Sequence, residues 1–250
     1  MSNPWDIRTD TIRSANTIFT FHLFCEDRNC EPLYFESFGN DKVKIVTHTE
    51  QGSMFKNLIK TIMKCKNNGF LKKRGNKYVV ANKGIDVWCV FDRDKGGNGE
   101  QDIDEGDVSF DLAITTAIHN GVNVAWSNDA FELWVMLHLM DIDDYEGAKD
   151  RTHYYEKLKL YFQNHSNPND DLRKALQHSF GYKHSLKSRS NFKNIVLAEI
   201  LPYVNDAVQR AEQLVERYTT ESDHSKKGPC TMAHLLVKRI LEKGGVVSKN

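Results

Sequence analysis

Hydrophobic and polar residues alternate along the first 140 positions in the order expected for strands that alternate with helices. Short runs rich in β-branched and aromatic residues predict strands at 17–25, 42–48, 85–91 and 122–126. Apolar residues at helical spacing predict helices from Pro32 onward and at 54–62, 108–120 and 130–140. A Gly-rich acidic stretch predicts a loop at 96–107, and a short extra element is expected at 78–80. This order indicates an α/β fold whose parallel sheet is covered by helices on both faces.

Beyond about residue 145 the strand pattern gives way to helical patterns. Helices are predicted at 154–162, 170–178 and 232–243, and Pro202 divides a long apolar stripe at 197–215. The polar stretch 221–227 predicts an exposed loop. We therefore divide the chain into an N-terminal extension, an α/β core and a helical C-terminal region packed on that core, at 1–16, 17–145 and 146–250.

Polar side chains directly follow three of the predicted strands. Glu26 follows the first strand, Asp92 and Asp94 follow the third, and Ser-Asn-Asp at 127–129 follows the fourth. The carboxyl ends of parallel strands meet at one edge of the sheet, where functional groups gather. Two carboxylates one residue apart repel each other unless a cation or a proton lies between them, and Mg²⁺ prefers oxygen ligands of this kind. An isolated Asp-x-Asp is more often a pair of capping residues, so the prediction of phosphate chemistry depends on the neighbouring strand ends.

The formal net charge of the chain is zero, so any binding of nucleic acid must depend on local basic patches. One candidate patch, at 56–77, has eight basic residues and no acidic one, and a second lies at 183–193. A solvated helix face explains each patch about as well as a phosphate-binding surface does. The candidate nucleic-acid-binding residues are Lys72, Lys73, Arg74, Lys187 and Arg189.

Other patterns favour a cytoplasmic location away from membranes. The five cysteines form no Cys-x-x-Cys pair, and the first residues lack the apolar core of a signal peptide. No apolar run approaches the roughly 20 residues that span a bilayer. The chain also lacks a Gly-x-x-x-x-Gly-Lys-Ser/Thr motif, so ATP hydrolysis connected with it would have to come from a partner.

Several segments resemble the RloB family of bacterial Toprim-like proteins, and they occur in the same order. The most specific is Ser-Asn-Asp-Ala-Phe-Glu-Leu-Trp at 127–134. The others lie at 23–26, 31–35, 87–94, 137–138, 182–183, 207–211, 229–231 and 234–235. Two positions depart from the family pattern: Asp27 stands where a glycine often follows the first glutamate, and Lys95 stands where an acid often follows the Asp-x-Asp.

The resemblance implies a Toprim-like fold and a metal-dependent phosphodiesterase. Glu26 matches the Toprim glutamate, and Asp92 and Asp94 match the pair that binds Mg²⁺ or Mn²⁺. Glu132 matches the glutamate of the Phe-Glu-Leu-Trp segment, and Lys183 is the candidate for neutralising charge on the phosphate.

The resemblance also implies a biological role and partners. The expected activity is that of a nuclease on RNA, tRNA included, or on DNA. It would act as an effector of anti-phage defence by abortive infection, with a partner ATPase of the AAA/ABC kind. A homodimer is among the expected assemblies.

Each candidate residue also has a purely structural interpretation. Glu132 could serve the dipole of the helix whose first turn it occupies, and Lys183 could be an ordinary surface lysine. Arg93 is interpreted as a salt-bridge partner and His138 as a core histidine. Two alternatives stay open for the whole protein: a non-catalytic Toprim-shaped sensor or scaffold that binds nucleic acid or a phage protein, and a phosphodiesterase acting on a small nucleotide.

Overall fold

A computed structural model describes residues 18–49, 54–93, 100–142 and 150–245 of the chain. Seven strands are described in these ranges: β1 (Phe19–Cys25), β2 (Val43–His48), β3 (Leu71–Arg74), β4 (Lys77–Val80), β5 (Ile85–Asp92), β6 (Asn123–Asn128) and β7 (Cys230–Thr231). The helices that surround them up to residue 180 are α1 (Cys30–Glu36), α2 (Met54–Asn67), α3 (Glu100–His119), α4 (Glu132–Leu139), α5 (Arg151–Gln163) and α6 (Asp170–Leu176). After residue 180 come α7 (Arg189–Asn191), α8 (Ala198–Ile200), α9 (Val204–Glu216) and α10 (Ala233–Gly244), with π-helical turns at Tyr182–Leu186 and Phe192–Leu197.

Five strands form one sheet in the order β2-β1-β5-β6-β7. The first four run parallel, and β7 pairs antiparallel with the end of β6. Helices α2 and α3 pack on one face of the sheet, and α1 and α10 pack on the other. The α/β fold with a parallel sheet and a helical C-terminal region is therefore confirmed, and the C-terminal region supplies the fifth strand.

The central strands are buried on both faces, which explains their uninterrupted apolar sequences. Residues 87–91 of β5 and 23–25 of β1 are almost fully buried, and Phe110 of α3 packs edge-on against Phe91 and Trp126. Burying such side chains contributes about 1.5–3 kcal/mol each. This packing fixes where each strand ends, and hence where the polar residues that follow the strands are placed.

One prediction about the first 140 residues was wrong, and one strand was missed. Helix α3 begins at Glu100, so 100–107 is helical, whereas a loop was predicted there; 94–99 lie outside the described residues. Gly106 lies inside this helix, where a glycine costs about 1 kcal/mol relative to alanine. Strand β3 was also missed, because three of its four residues are cations and only Leu71 is buried. It pairs with β4 through a turn in which Gly75 has φ +62°.

The helical predictions for the C-terminal region hold, including the division at Pro202. Helix α8 ends at Ile200, a 3-10 turn covers Leu201–Tyr203, and α9 follows directly. The predicted exposed loop at 221–227 was wrong at Ser225, which is buried. Its hydroxyl and backbone N–H both donate to the carboxylate of Asp111 on α3, at 2.7 and 2.9 Å. No described helix has the length and apolarity required to cross a membrane.

Candidate functional site

The ends of β1 and β5 bring Glu26 and Asp92 to the same edge of the sheet. Cys25 pairs with Val90, and the N–H of Glu26 continues the ladder by donating to the carbonyl of Val90 at 3.2 Å. Asp92 pairs with Ser127 on the other side, at the end of β6. Both carboxylates are half-buried. The predicted convergence of these two residues is therefore found, and Asp94 lies outside the described residues.

A third carboxylate, Glu31, belongs to the same cluster and was not among the predicted site residues. It is 1% exposed, in the first turn of α1. Burial raises the pKa of Glu31 well above its usual range, and the negative charges of Asp92, Asp27 and Glu26 raise it further. The N–H of Asp27 donates to Glu31 Oε2 at 3.2 Å and opposes the shift only in part. We refer to Glu26, Glu31 and Asp92 as the carboxylate cluster.

The residues around Glu31 explain why it is buried. Helix α1 has six consecutive buried residues, 30–35, and Glu31 is the one charged side chain among them. An acid inside the apolar run Cys-Glu-Pro-Leu-Tyr-Phe, five residues after Glu26, was a signal available in the sequence. A carboxylate is rarely placed in such a run unless it is paired, protonated or bound to a cation.

Asp27 connects β1 to α1. Its Oδ2 accepts from the N–H of Cys30 at 2.8 Å, and its Oδ1 accepts from the N–H groups of Arg28 and Asn29. These bonds satisfy backbone donors at the start of α1 that have no partner within the helix. Asp27 therefore holds the turn that positions Glu31.

The described residues include no group of three or more His, Cys, Asp or Glu side chains arranged to hold a metal ion. The chemistry of the cluster nevertheless suits a hard cation. Three carboxylates repel one another, and a cation or a proton between them relieves that repulsion. Burial, and then the charges of its acidic neighbours, raise the pKa of Glu31. A divalent cation such as Mg²⁺ or Mn²⁺ would relieve this repulsion.

The Ser-Asn-Asp segment, which consists of the last two residues of β6 and Asp129, is mainly structural. Asn128 is fully buried, and its Oδ1 accepts from Nη1 of Arg93 at 3.0 Å. Its Nδ2 donates to the carbonyls of Ser225 and Lys227 at 2.9 and 3.0 Å. Arg93 also forms an ion pair with Asp107, as the salt-bridge interpretation predicted. Asn128 thus connects Arg93, which directly follows Asp92, to the C-terminal region.

The neighbouring side chains of this segment fix two further connections. Asp129 is 1% exposed and is bound by Arg151 at the start of α5, with Arg151 Nε 3.3 Å from Oδ2. The hydroxyls of Ser127 and Thr231 lie 3.0 Å apart and join β6 to β7. The side chains of this segment therefore serve largely to hold neighbouring loops and strands together at the edge of the sheet.

Glu132 forms a largely buried ion pair with Lys187. Lys187 Nζ lies 2.7 Å from Glu132 Oε1, and the two side chains are 29% and 2% exposed. Burial lowers the pKa of Lys187, but the charge of Glu132 outweighs it, and the net pKa is raised above its usual range. The carbonyl of Lys187 accepts a long contact, 4.0 Å, from Cys30 Sγ. The pair therefore lies near Cys30 of α1, which directly precedes Glu31 in the sequence.

Replacing Lys187 with methionine is expected to lower the free energy of unfolding by about 3 kcal/mol, measured by urea denaturation at pH 7. The change leaves the charge of Glu132 buried and unpaired, which costs about 3–5 kcal/mol in buried pairs, and the partial exposure of Lys187 places it at the lower end. The double variant Glu132→Gln/Lys187→Met should recover most of the loss. A double variant no more stable than Lys187→Met would contradict the pairing.

The other predicted cations are exposed on the surface. Lys183 is exposed on the π-helical turn, and Arg189 is exposed with Nη2 4.0 Å from Glu36 Oε2. The basic residues Lys72, Lys73 and Arg74 are exposed on β3. Their predicted roles in catalysis and nucleic-acid binding stay predictions.

His138 is a core histidine, as interpreted from its position after Trp134. It is 1% exposed, one ring nitrogen lies 2.9 Å from the hydroxyl of Tyr34, and the other lies 2.8 Å from the carbonyl of Trp134. Burial lowers the pKa of His138 to about 4, so the imidazole is neutral at physiological pH. The residue holds α4 against α1 and does not need a catalytic role to explain its surroundings.

Comparison with known proteins identifies one family. The sequence model of the family described as RloB-like protein matches residues 21–240, most of the chain. No curated protein and no solved structure matches significantly. The matched range includes both strands that carry the carboxylate cluster, the Ser-Asn-Asp segment and the Glu132–Lys187 pair.

Proposed function

Since the chain belongs to the RloB-like family and gathers three carboxylates at the carboxyl edge of its sheet, we propose that it is a metal-dependent nuclease. The observation that carries the proposal is the position of Glu31, which is 1% exposed in the first turn of α1 and lies beside Asp92 and Glu26. Burial raises the pKa of Glu31, and the charges of Asp92, Asp27 and Glu26 raise it further. Burying a carboxylate beside other carboxylates lowers the free energy of unfolding unless a cation binds between them. Sites that favour function over stability in this way are typical of catalysis.

The residues of the cluster would divide the work of phosphodiester hydrolysis. Glu26, Glu31 and Asp92 would hold Mg²⁺ or Mn²⁺, with Asp94 as a further predicted ligand. Such a cation supplies Lewis-acid activation of the phosphate and of an attacking water when it is bound. Alternatively, Glu31 and Asp92 would hold the cation and the carboxylate of Glu26, half-buried at the edge, would act as the general base for the attacking water. Asp27 holds the first turn of α1 and so keeps Glu31 beside Glu26 and Asp92.

The test is cleavage of RNA and DNA by the purified protein in the presence of Mg²⁺ or Mn²⁺, with and without the partner ATPase. We expect cleavage that EDTA abolishes and that Glu26→Ala reduces at least 100-fold, since a positioned acid–base group contributes about 10²–10⁴-fold. Glu156→Ala, on exposed surface of α5, is the matched control and should cleave like the wild type. Equal cleavage by Glu26→Ala and wild type would sink the proposal.

A non-catalytic scaffold is the second candidate, and it is favoured by one observation. The described residues contain no complete group of three metal ligands. Titration calorimetry with Mn²⁺ separates the two functions. Binding that is lost in Asp92→Ala supports the nuclease, whereas no binding to wild type supports the scaffold.

The wider role is proposed on the resemblance alone. We propose that the protein acts in the cytoplasm as an effector of anti-phage defence, with tRNA among its substrates and an ATPase of the AAA/ABC kind as its partner. A gene for such an ATPase beside the gene for this chain would support the proposal, and substrate preference is to be measured with tRNA, unstructured RNA and DNA side by side.

A further inference from the structure

Positive charge in this chain is concentrated in one stretch, although the whole chain is neutral. Residues 51–85 contain nine Lys or Arg and no Asp or Glu, so the other 215 residues carry a formal charge of −9. In the fold this stretch forms α2, the β3–β4 hairpin and the start of β5. Segregation of this kind creates a strong local field that the net charge conceals.

This basic stretch extends from the carboxylate cluster to the opposite edge of the sheet. At its first turn, Asn57 Nδ2 of α2 donates to the carbonyl of Val90, two residues before Asp92. At the far end, the N–H of Phe70 donates to the carbonyl of Cys65, and the N–H of Ala81 donates to the carbonyl of Phe70. The chain then continues directly into β5. Eight residues of β5 separate these two edges, a distance of about 26 Å.

The hairpin is fixed at the far edge by the turn that precedes β6. Gly121, with φ +70°, lies so close to the hairpin that an added Cβ would stand 2.6 Å from the carbonyl of Tyr78. Lys66 lies 3.9 Å above the ring centroid of the same tyrosine. The hairpin therefore keeps a defined position relative to α2 and the sheet.

Six cations on this path are exposed to solvent. Within the described residues none of them is ion-paired to a carboxylate: Lys56, Lys60, Lys64, Lys72, Lys73 and Arg74. Exposed cations of the C-terminal region behave differently. Arg173, Lys226 and Lys238 each pair with a nearby carboxylate. A row of unpaired cations repels itself and is relieved by a polyanion.

The three lysines of α2 form a regular line. Lys56, Lys60 and Lys64 are spaced by four residues and lie about 6 Å apart along one face of the helix. Ile59 and Met63, 38% and 58% exposed, follow the same face beside them. A line of charges with apolar side chains next to it suits a nucleic-acid backbone whose bases or sugars rest on the apolar groups.

From this geometry we propose that α2 and the β3–β4 hairpin form one binding path for the nucleic-acid backbone, leading from the carboxylate cluster to the far edge of the sheet. The inference rests on the proposed function and adds where the substrate lies. A substrate that fills this path extends about 26 Å beyond the cleaved bond, which corresponds to about seven or eight nucleotide steps of a helical strand. The substrate class is therefore a long or folded nucleic acid, and not a small nucleotide.

The path is tested by the salt dependence of binding, measured in EDTA so that no cleavage takes place. The probe is a fluorescein-labelled 20-base-pair DNA duplex, followed by anisotropy from 50 to 200 mM KCl. We expect Lys56→Gln/Lys60→Gln/Lys64→Gln to reduce the slope of log K against log salt by about 2.7, at roughly 0.9 per lost phosphate contact. Lys72→Gln/Lys73→Gln/Arg74→Gln should reduce it by a similar amount.

A matched triple variant removes equal charge elsewhere. Lys174→Gln/Lys226→Gln/Lys238→Gln replaces exposed lysines of the C-terminal region and should bind like the wild type. Wild-type slopes in both path variants, or an equal loss in the control, would overturn the path. Circular dichroism melts of all three variants establish that each is folded.

Cleavage assays separate the failure of the path from the failure of the proposed function. Bis(p-nitrophenyl) phosphate reaches only the cluster, so both path variants should hydrolyse it at the wild-type rate while losing activity on the duplex. Hydrolysis of both substrates at wild-type rates would overturn the path alone. Metal-independent binding with no cleavage of either substrate would overturn the nuclease and leave the path standing.

Discussion

Glu31→Gln is expected to reduce metal-dependent phosphodiester cleavage by about 100-fold or more. Glutamine matches the shape of a protonated glutamate and can still accept the N–H of Asp27, but it cannot bring a negative charge to a cation. Loss of a charged ligand removes several kcal/mol of the stabilisation that a bound metal provides, and about 2.7 kcal/mol corresponds to 100-fold. Initial rates with Mn²⁺ and calorimetric Mn²⁺ affinities measure the effect.

The same substitution is expected to stabilise the metal-free protein at high pH. Because the pKa of Glu31 is raised in the folded state, the unfolded carboxylate ionises first, above a pKa of about 4.5, and the folded state loses stability as the pH rises. Glutamine does not titrate. Urea unfolding in EDTA should therefore show Glu31→Gln more stable than wild type at pH 8, with the difference disappearing as the pH falls towards 4.5.

Glu36→Gln on the same helix is the control for both measurements. Its carboxylate lies at the exposed end of α1, so cleavage and the pH dependence of stability should stay at wild-type values. A Glu31→Gln enzyme that cleaves at the wild-type rate would remove Glu31 from the site. A stability difference that grows towards low pH would show that Glu31 is ionised in the folded protein.

The order of the elements was predictable because the parallel strands have two buried faces. Their apolar runs are uninterrupted, and each run places polar residues at its carboxyl end, which located Glu26 and Asp92. Strand β7 was not predictable, since Cys230 and Thr231 join the sheet only through β6, more than 100 residues earlier. Local pattern carries no information about such a pairing.

The missing parts of the site depend on burial and on contacts distant in sequence. Glu31 is buried because α1 packs against the rest of the protein with residues 30–35 inside. An acid in the first turn of a helix is ordinarily exposed, so the sequence alone did not predict this burial. The Glu132–Lys187 pair joins residues 55 positions apart, so Lys187 was predicted as a surface cation for nucleic acid. Sequence patterns find residues that share a strand end, and they do not find partners that tertiary packing brings together.

Asn128 is the residue on which the edge of the sheet depends most. It is fully buried and uses both ends of its amide, with Arg93 Nη1 at one end and the carbonyls of Ser225 and Lys227 at the other. Leucine has a similar volume but no polar atoms. The substitution would therefore leave a guanidinium donor and two carbonyls buried without their partner.

Asn128→Leu is expected to lower the free energy of unfolding by about 4 kcal/mol, because each buried polar group left unpaired costs about 1–3 kcal/mol. For a chain of this size that corresponds to a melting temperature roughly 8–16 °C lower. Since Arg93 directly follows Asp92, the released guanidinium should also weaken Mn²⁺ binding. Calorimetry below the lowered melting temperature measures this second effect separately from stability.

Asn123→Leu provides the comparison at the other end of β6. Asn123 is exposed, and its Nδ2 donates a single 3.3 Å bond to the carbonyl of Val87, so the loss should stay below about 1 kcal/mol. Comparable losses in the two variants would mean that the Asn128 network contributes no more than an ordinary surface bond. Normal Mn²⁺ affinity in a destabilised Asn128→Leu would show that Asp92 keeps its position without Arg93, and that Asn128 serves the fold alone.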